Sequence, residues 1–367
     1  MKPFARWNAS LFVAALLALI LACSIWFGRA SEIDFRKRIA EAERTRQWQK
    51  AETLWDTFVH RYPGSVTPDD LVREARCALM LDKPAKARRS LDAWLRTERE
   101  GTEGWQLSIE IRRALGDSDG VNEIMREMLR SDEARRSLAL LSAATFGILT
   151  AMNAEESRER LQRWAKAEPD SPLAEAWALA RRIEDSDLAG PIGAESLEEV
   201  SALAQKWPND PDVWRVYVES LFLQGDYEEV KRASNQWPAE ARNSIAWARL
   251  EGRRALEVEN DPERAIPHFR SVLERVPQDW RTHYRLARAL AGAGRHEEAQ
   301  AQARRTVEIR ELMDPISLEK VLDATFTKGK PPGPTKLIEL LRRIGQTELA
   351  QAWLEWYDAE RLISKVR

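Results

Sequence analysis

The stretch DPERAIPHFRSVLERVP, residues 261–277, has the pattern of one face of a helix. Ala265, Phe269 and Val272 are spaced four and three residues apart, so they fall on one side of a helix with 3.6 residues per turn. Pro277 follows five residues later, where it cannot continue the helix. The stretch therefore predicts an amphipathic helix with a defined end, and it raises the question of whether the same unit occurs elsewhere.

The same pattern recurs along the chain: a small residue, large apolar residues four and seven positions later, and often a proline at the twelfth. AETLWDTFVHRYP (51–63) and SRERLQRWAKAEP (157–169) are further complete copies. The copies begin at Ala51, Ala87, Val121, Ser157, Val200, Val230, Ala265, Ala299 and Ala350. Five of the eight intervals are 34 to 36 residues, the period of a two-helix repeat.

A second helical pattern precedes several copies and ends at a glycine. In WRTHYRLARALAGAGRHEEA, residues 280–299, Leu286 and Leu290 lie on one helical face and Gly294 follows. The corresponding glycines in other units are Gly116, Gly225 and Gly345. Glycine just past a helix supplies the left-handed residue that closes it. Each unit is therefore predicted to be a first helix, a glycine turn and a second helix.

This paired pattern resembles the tetratricopeptide repeat (TPR) family over nearly all of residues 32–363. The residues that match the family pattern are Trp214, Tyr217 and Leu221 in a first helix and Ala265, Phe269 and Pro277 in a second. The family's glycine beside the first-helix leucine is replaced by Val218 and Ala287. The resemblance implies an all-α fold, a right-handed α-α superhelix (solenoid) of about eight or nine TPR-like helix pairs.

The tryptophan content also fits this pattern. Six of the fifteen tryptophans fall on repeat positions that should pack between helices: Trp55, Trp94, Trp164, Trp207, Trp214 and Trp237. Stacking on a ligand is the alternative role. A buried aromatic side chain contributes a large apolar area, so core packing explains the excess of tryptophan.

We expect five segments along the chain. Residues 1–10 form a short basic tail, and 11–28 form a transmembrane signal anchor. The repeat array spans 32–312, a helix with a Pro/Gly-rich linker spans 313–334, and a capping helix pair spans 335–367. Within the array, RIEDSDLAGPIGAES (182–196) predicts a lengthened loop before Val200.

The anchor prediction rests on LFVAALLALILACSIWF, residues 11–27, which contains no charge. As a helix it spans roughly 26 Å, close to the hydrocarbon thickness of a bilayer. Cleavage after Ala30 and lipidation at Cys23 are the alternatives, which predict a secreted protein or a lipoprotein. The favoured topology is that of a single-pass protein of the bacterial inner membrane, with the repeats outside the cytoplasm.

The charge balance and the reactive residues exclude several function classes. Outside residues 1–30, 54 basic residues face 59 acidic ones, so the body offers no basic footprint for nucleic acid. The four histidines form no HExxH or HxxxH pair, which predicts no metal site. Cys77 lies within a helical pattern and is expected to be a buried thiol. We expect no catalytic residues, cofactor or small-molecule substrate, and so no enzyme.

A basic stripe suggests where a partner binds. Arg281, Arg285 and Arg288 follow the spacing of one helical face, with Tyr284 beside them. On a first helix this face should line a concave groove and bind a carboxylate-bearing protein or peptide. A solvated face paired with nearby acids is the alternative. Arg73 and Arg76 form a weaker candidate on an earlier first helix.

Two functions follow from these patterns. The first is a non-catalytic, membrane-tethered scaffold that mediates protein–protein interaction in cell-envelope assembly, secretion or quality control. The alternative is a regulatory or unrecognised catalytic subunit of a membrane-associated enzyme complex. An open groove favours the scaffold, whereas a deep pocket with convergent polar residues favours the enzyme subunit.

Overall fold

A computed structural model of the 367-residue chain describes residues 31–97, 101–150, 154–187, 194–326 and 335–366. All regular secondary structure in these ranges is helical, which confirms the all-α prediction. The chain divides into two compact units, Met1–Arg99 and Glu100–Arg367. The sequence predicts one array over 32–312, whereas the structure places a boundary after Arg99, within that array.

The first unit contains two antiparallel pairs of helices. They are α1 (31–44), α2 (Trp48–Arg61), α3 (Pro68–Met80) and α4 (Pro84–Trp94). Trp55 is fully buried at the centre, where its ring meets the edge of the Phe58 ring at a centroid distance of 5.8 Å. Thr67 and Asp70 form a capping box that begins α3. The buried Asp70 carboxylate also accepts hydrogen bonds from Arg36 of α1, at 2.5 and 2.6 Å, which ties α1 to α3.

The second unit contains sixteen helices in the ranges that the structure describes. They are α5 (Glu103–Leu115), α6 (Ser118–Met128), α7 (Asp132–Arg136), α8 (Leu138–Leu149), α9 (Ala154–Ala167), α10 (Leu173–Asp187), α11 (Ala194–Lys206), α12 (Pro211–Gln224), α13 (Tyr227–Gln236), α14 (Ile245–Arg253), α15 (Pro262–Arg275), α16 (Trp280–Gly292), α17 (His296–Leu312), α18 (Pro315–Phe326), α19 (Thr335–Arg343) and α20 (Thr347–Val366). Sequential helices pack against each other through most of this series, as repeated helix pairs require.

The repeat positions predicted from the sequence are buried. All nine first positions of the copies have little exposed surface, and even the most exposed of them, Ala299, is only 8% exposed. Five of the six tryptophans on repeat positions are at most 5% exposed, and Trp207 is partly buried. Their predicted role in packing between helices is therefore confirmed.

Glycine closes several first helices as predicted. Gly116, Gly225, Gly294 and Gly345 all have φ between +73° and +89°, the left-handed region that a side chain disfavours. Gly345 has a second constraint, because a Cβ atom there would lie 2.7 Å from Cβ of Pro277. The turn between α19 and α20 therefore approaches the end of an earlier repeat closely.

The irregular segments of the array are partly helical. The insertion at 182–196 continues α10 as far as Asp187 and begins α11 at Ala194, so only residues 188–193 lie outside the described ranges. The segment 315–326 is one helix, as the sequence predicts. The first helix before the copy at Ala265 is irregular, since α14 is followed by a π-helical turn at Arg254–Val258.

The two ends of the second unit meet. Asn122 of α6, Gln278 and Gln346 are at most 8% exposed and form an amide triad. Gln346 Nε2 donates to Asn122 Oδ1 at 2.7 Å and to Gln278 Oε1 at 2.6 Å, and Gln278 Nε2 donates to Asn122 Oδ1 at 3.1 Å. Residues up to 224 positions apart in sequence are thereby joined.

Aromatic contacts extend this junction along α8 and α20. The buried Trp353 donates from Nε1 to Thr145 Oγ1 at 2.8 Å. Phe326 lies between the rings of Phe146 and Trp353, at centroid distances of 4.9 and 6.0 Å. We call the contacts of α6, α7 and α8 with α14, α15 and α20 the seam. The seam closes the second unit on itself, which the periodicity of the repeats did not predict.

The predicted anchor at 11–28 and the basic tail at 1–10 lie outside the described residues. Among the helices that the structure describes, none is both long enough and apolar enough to cross a bilayer.

Candidate functional site

The basic stripe predicted on α16 separates into an exposed part and a buried part. Arg281, Tyr284 and Arg288 are exposed, and Tyr284 retains 53% of its surface. We call these three residues the outer face of α16. Arg285 lies closer to the buried side of the helix, and its Nε is 3.5 Å from Oε1 of Glu257. The helical rotation of 100° per residue explains this separation, since Arg285 lies about 60° around the helix axis from Arg288.

Trp280 supports the outer face. The guanidinium of Arg281 lies 4.9 Å from the centroid of the Trp280 ring, and that of Arg310 from α17 lies 5.9 Å from it. Cations at this distance from an indole ring are attracted by its electron-rich face. Trp280 was not among the residues predicted from the sequence, although its position next to Arg281 at the start of α16 could have indicated it.

Arginines also occupy the interior of the second unit. Arg215 of α12, Arg249 and Arg253 of α14, and Arg285 of α16 form the interior arginine cluster. Burial, together with the charge of the neighbouring Arg253, lowers the pKa of Arg285 to about 10. Three successive first helices of the array therefore contribute arginines to one region.

Arg249 is the most extensively paired member of this cluster. Its Nη1 and Nη2 donate to the two carboxylate oxygens of Asp119 at 2.7 and 2.9 Å, and Nη2 also donates to Asp279 Oδ2 at 2.9 Å. Burial by itself raises the pKa of Asp119, but the charge and hydrogen bonds of Arg249 outweigh burial and hold that pKa at about 2. Arg249 thus joins α6 to the start of α16 across the interior.

Arg215 has a weaker ion pair and an aromatic neighbour. Its Nη1 is 3.7 Å from Asp117 Oδ1, its Nε donates to Glu219 at 3.3 Å, and its guanidinium lies 4.5 Å from the Trp177 ring centroid. Burial raises the pKa of Asp117, and the distant Arg215 only partly offsets this effect. The pKa values of Asp117 and Asp119 therefore shift in opposite directions, because Arg249 lies closer to Asp119 than Arg215 does to Asp117.

The interior cluster leaves little free space. The cavity between α12 and α14, lined by Arg215, Arg249 and Arg253 among others, has a volume of about 20 Å³. This volume holds about one water molecule. This cavity is too small for a peptide, whereas the outer face of α16 is exposed.

The weaker candidate, in the first unit, is structural. Arg73 donates to Glu43 Oε2 at 2.8 and 3.1 Å, and its guanidinium lies 5.4 Å from the ring centroid of Trp55. Trp55 Nε1 in turn donates to Glu43 Oε1 at 3.0 Å. Arg76 on the same helix is half-buried. These contacts hold α1, α2 and α3 together.

The buried thiol behaves as the sequence predicts. Cys77 is 2% exposed, and burial raises the pKa of its thiol to about 12. A thiol with this pKa is protonated at neutral pH and is a poor nucleophile. Among the described residues, no group of three or more His, Cys, Asp or Glu side chains is placed to hold a metal ion.

Comparison with known families supports the repeat assignment. Residues 259–310 match the family model described as tetratricopeptide repeat. The matched segment contains α15, α16 and nearly all of α17, and therefore the outer face of α16. No curated protein matches the chain.

Several solved structures are similar to the chain. A tetratricopeptide repeat protein from Parabacteroides merdae is 12% identical, with a TM-score of 0.31, covering 71% of this chain and 99% of the other. The APC/C hetero-tetramer Cut9–Hcn1 is 14% identical, with a TM-score of 0.32, covering 89% and 79%. The human IFIT1 dimer with PPP-AAAA is 15% identical, with a TM-score of 0.35, covering 90% and 82%.

Proposed function

We propose that this protein is a non-catalytic scaffold that binds a segment of a partner protein on the outer face of α16. The observation that carries the proposal is the exposure of Arg281, Tyr284 and Arg288 on a first helix within the segment that matches the repeat family. Tetratricopeptide repeats are generally protein-interaction modules, so the repeat assignment supports the same class of function.

The chemistry of this face favours an acidic segment. A guanidinium can bind a carboxylate through two parallel hydrogen bonds. Arg281 and Arg288 are about two helical turns apart, so they can bind carboxylates roughly 10 Å from each other. The half-exposed ring of Tyr284 lies between them and offers an apolar surface to the intervening side chain.

The proposal also includes a membrane tether at residues 11–28. It is supported by the charge-free length of residues 11–27 and by the basic residues Lys2 and Arg6 that precede them. With the repeats outside the cytoplasm, the scaffold would act in cell-envelope assembly, secretion or quality control. Extraction of membranes with carbonate tests the tether, because recovery of the full-length protein in the soluble fraction would contradict it.

The binding proposal is tested by capture of a partner from detergent-solubilised native membranes. The full-length protein is compared with an Arg281→Glu/Arg288→Glu variant. Arg285 is left unchanged because its contact with Glu257 makes it part of the interior. We expect a partner that the wild type captures in reproducible yield and that the variant loses.

A matched control changes the same amount of charge on another face. Lys231 of α13 is partly exposed and Arg232 is exposed, and each pairs with a glutamate of its own helix, three residues earlier. A Lys231→Glu/Arg232→Glu variant should capture the partner as the wild type does. Equal capture by all three proteins would contradict the outer face of α16 as the binding site.

A further inference from the structure

A second recessed surface lies on the seam, away from the outer face of α16. Here α6 and α7 face the first turns of α20 across a cleft of about 560 Å³. Ligand pockets in proteins typically have volumes of about 300–1,000 Å³. The cleft is therefore large enough for several side chains, whereas the interior cavity is not.

Three of the four charged residues that line the cleft are basic. Arg126, Arg130 and Arg135 contribute three positive charges from α6, α7 and the turn between them, and Glu348 of α20 contributes one negative charge. The first turn of α20 begins at the cleft with Thr347, and the N-terminus of a helix carries a partial positive charge. The lining thus favours an anionic ligand.

The acids that pair with two of these arginines are readily exchanged. Arg130, in the turn after α6, pairs with Glu127 three residues earlier, and the Arg130 side chain is 75% exposed. Arg135 pairs with Glu355 at 2.6 Å, with 32% and 45% of the two side chains exposed. Ion pairs between exposed side chains contribute little to stability. A ligand carboxylate can replace either glutamate at little cost.

The contacts of Arg126 and Arg135 also bear on ligand binding. Arg126 is held in place by donating from Nη1 to the backbone carbonyl of Glu274 at 2.9 Å, which leaves its other donors oriented. The Nε of Arg135 is buried and has no hydrogen-bond partner. A buried donor without a partner is unfavourable. Because Nε is closed to the cleft, a ligand carboxylate would bind Arg135 at Nη2, where it would replace Glu355.

The two walls of the cleft come from opposite ends of the second unit. Arg126 and Gln351 are 225 positions apart in the sequence, and both line the same space. The amide triad fixes the start of α20 beside α6, since Gln346 immediately precedes α20 and Asn122 lies one helical turn before Arg126. The cleft exists only while the seam is closed.

We propose that the seam cleft binds an acidic peptide segment of a partner protein, and that this binding stabilises the closed form of the second unit. The segment bridges the arginines of α6 and α7 and the first turn of α20. A ligand that binds the closed form alone stabilises it by an amount that grows with the logarithm of one plus the ratio of the free ligand concentration to Kd. This proposal does not depend on the outer face of α16.

The test uses a fluorescein-labelled hexaglutamate peptide and the full-length protein in detergent at low ionic strength. The protein carries Arg281→Gln/Arg288→Gln, so that the outer face of α16 cannot bind the probe. We expect saturable binding by fluorescence anisotropy and a rise in the melting temperature as the cleft is filled. Addition of Arg126→Gln/Arg130→Gln should weaken binding at least tenfold.

Two matched variants separate this effect from a loss of folding or of net charge. Lys231→Gln/Arg232→Gln removes the same charge elsewhere and should leave binding unchanged. Glu348→Gln removes the one acid that lines the cleft and should tighten binding by about two- to fivefold, which no unfolded protein can do. The absence of saturable binding, or equal weakening by the α6 and the α13 variants, would overturn the proposal.

Discussion

Arg249 in α14 and Arg281 in α16 belong to adjacent first helices, but their surroundings differ completely. The Arg249 side chain is only 16% exposed and contacts the buried Asp119 and the largely buried Asp279, which belong to different repeats. Arg281 is exposed and lies against the ring of Trp280. An arginine on a first helix therefore stabilises the fold when its partners are buried with it, and is available to a ligand when it is exposed.

Removing an arginine from each of these two environments should change the free energy of unfolding by different amounts. Removing one partner of a buried ion pair leaves an uncompensated charge in a poorly hydrated site, which is strongly destabilising. Removing an exposed arginine changes stability little. Substitutions at the two sites should therefore separate stability from binding.

The largest effect is expected for Arg249→Gln. The substitution leaves the buried Asp119 and the largely buried Asp279 without their shared cation, so we expect the free energy of unfolding to fall by about 3–5 kcal/mol. Urea unfolding monitored by circular dichroism measures this loss. A decrease below about 1 kcal/mol would show that the interior cluster does not hold the second unit together.

A pH effect of about 2 kcal/mol is expected from the same pair. The pKa of Asp119 is about 2 in the folded protein, compared with an ordinary value of 3.8. Its contribution is therefore fully present above about pH 4 and is lost as the pH falls towards 2. The measurement is the free energy of unfolding between pH 5 and 2.

Asp119→Asn is the reference for this pH effect. The raised pKa of Asp117 gives a pH dependence of the opposite sign, and the charge of Asp119 is the smallest contribution to that rise. The difference between the two stability curves therefore reports mainly the titration of Asp119. Wild type should lose about 2 kcal/mol more than the variant on acidification, and parallel curves would contradict the strong pairing with Arg249.

A smaller effect is expected for the amide triad. Gln346→Met removes the donor to Asn122 and Gln278 but retains a side chain of similar volume. Because Gln278 Oε1 loses this hydrogen bond in a buried site, we expect a loss of about 1–2 kcal/mol in urea unfolding. Gln351→Met on the exposed side of α20 is the control and should change stability by less than about 0.5 kcal/mol.

The smallest effect on stability is expected at the outer face of α16. Arg281→Gln and Arg288→Gln should each change the free energy of unfolding by less than about 0.5 kcal/mol, because both side chains are exposed. Thermal or urea unfolding checks this expectation. A loss above about 1 kcal/mol would mean that the outer face has a structural role like that of the interior cluster.

The helix pairs were predicted correctly from the sequence because the same pattern of residues recurs in each copy of the repeat. A buried small residue at positions such as Ala51 and Ala265, and a glycine at positions such as Gly225, occur at a constant period, so each copy supports the others. The tryptophans at repeat positions could be placed in the core for the same reason. Local pattern and packing agree throughout these helices.

The seam and the interior cluster could not be predicted in this way. Asn122, Gln278 and Gln346 are polar residues outside the apolar pattern, and their contacts depend on the summed rotation of many helix pairs. The inward position of Arg285 depends on a glutamate in the π-helical turn after α14, which no periodicity indicates. Contacts over such long sequence separations follow from the accumulated geometry of the array.

The most direct test compares the Arg249→Gln and Arg281→Glu/Arg288→Glu variants in two measurements, the midpoint of urea unfolding and the capture of the partner from solubilised membranes. We predict that the first variant unfolds at a clearly lower urea concentration, whereas the second unfolds as the wild type does and loses the partner. If the α16 variant retained the partner, or lost as much stability as the Arg249 variant, the division between a structural interior and a binding outer face would be wrong.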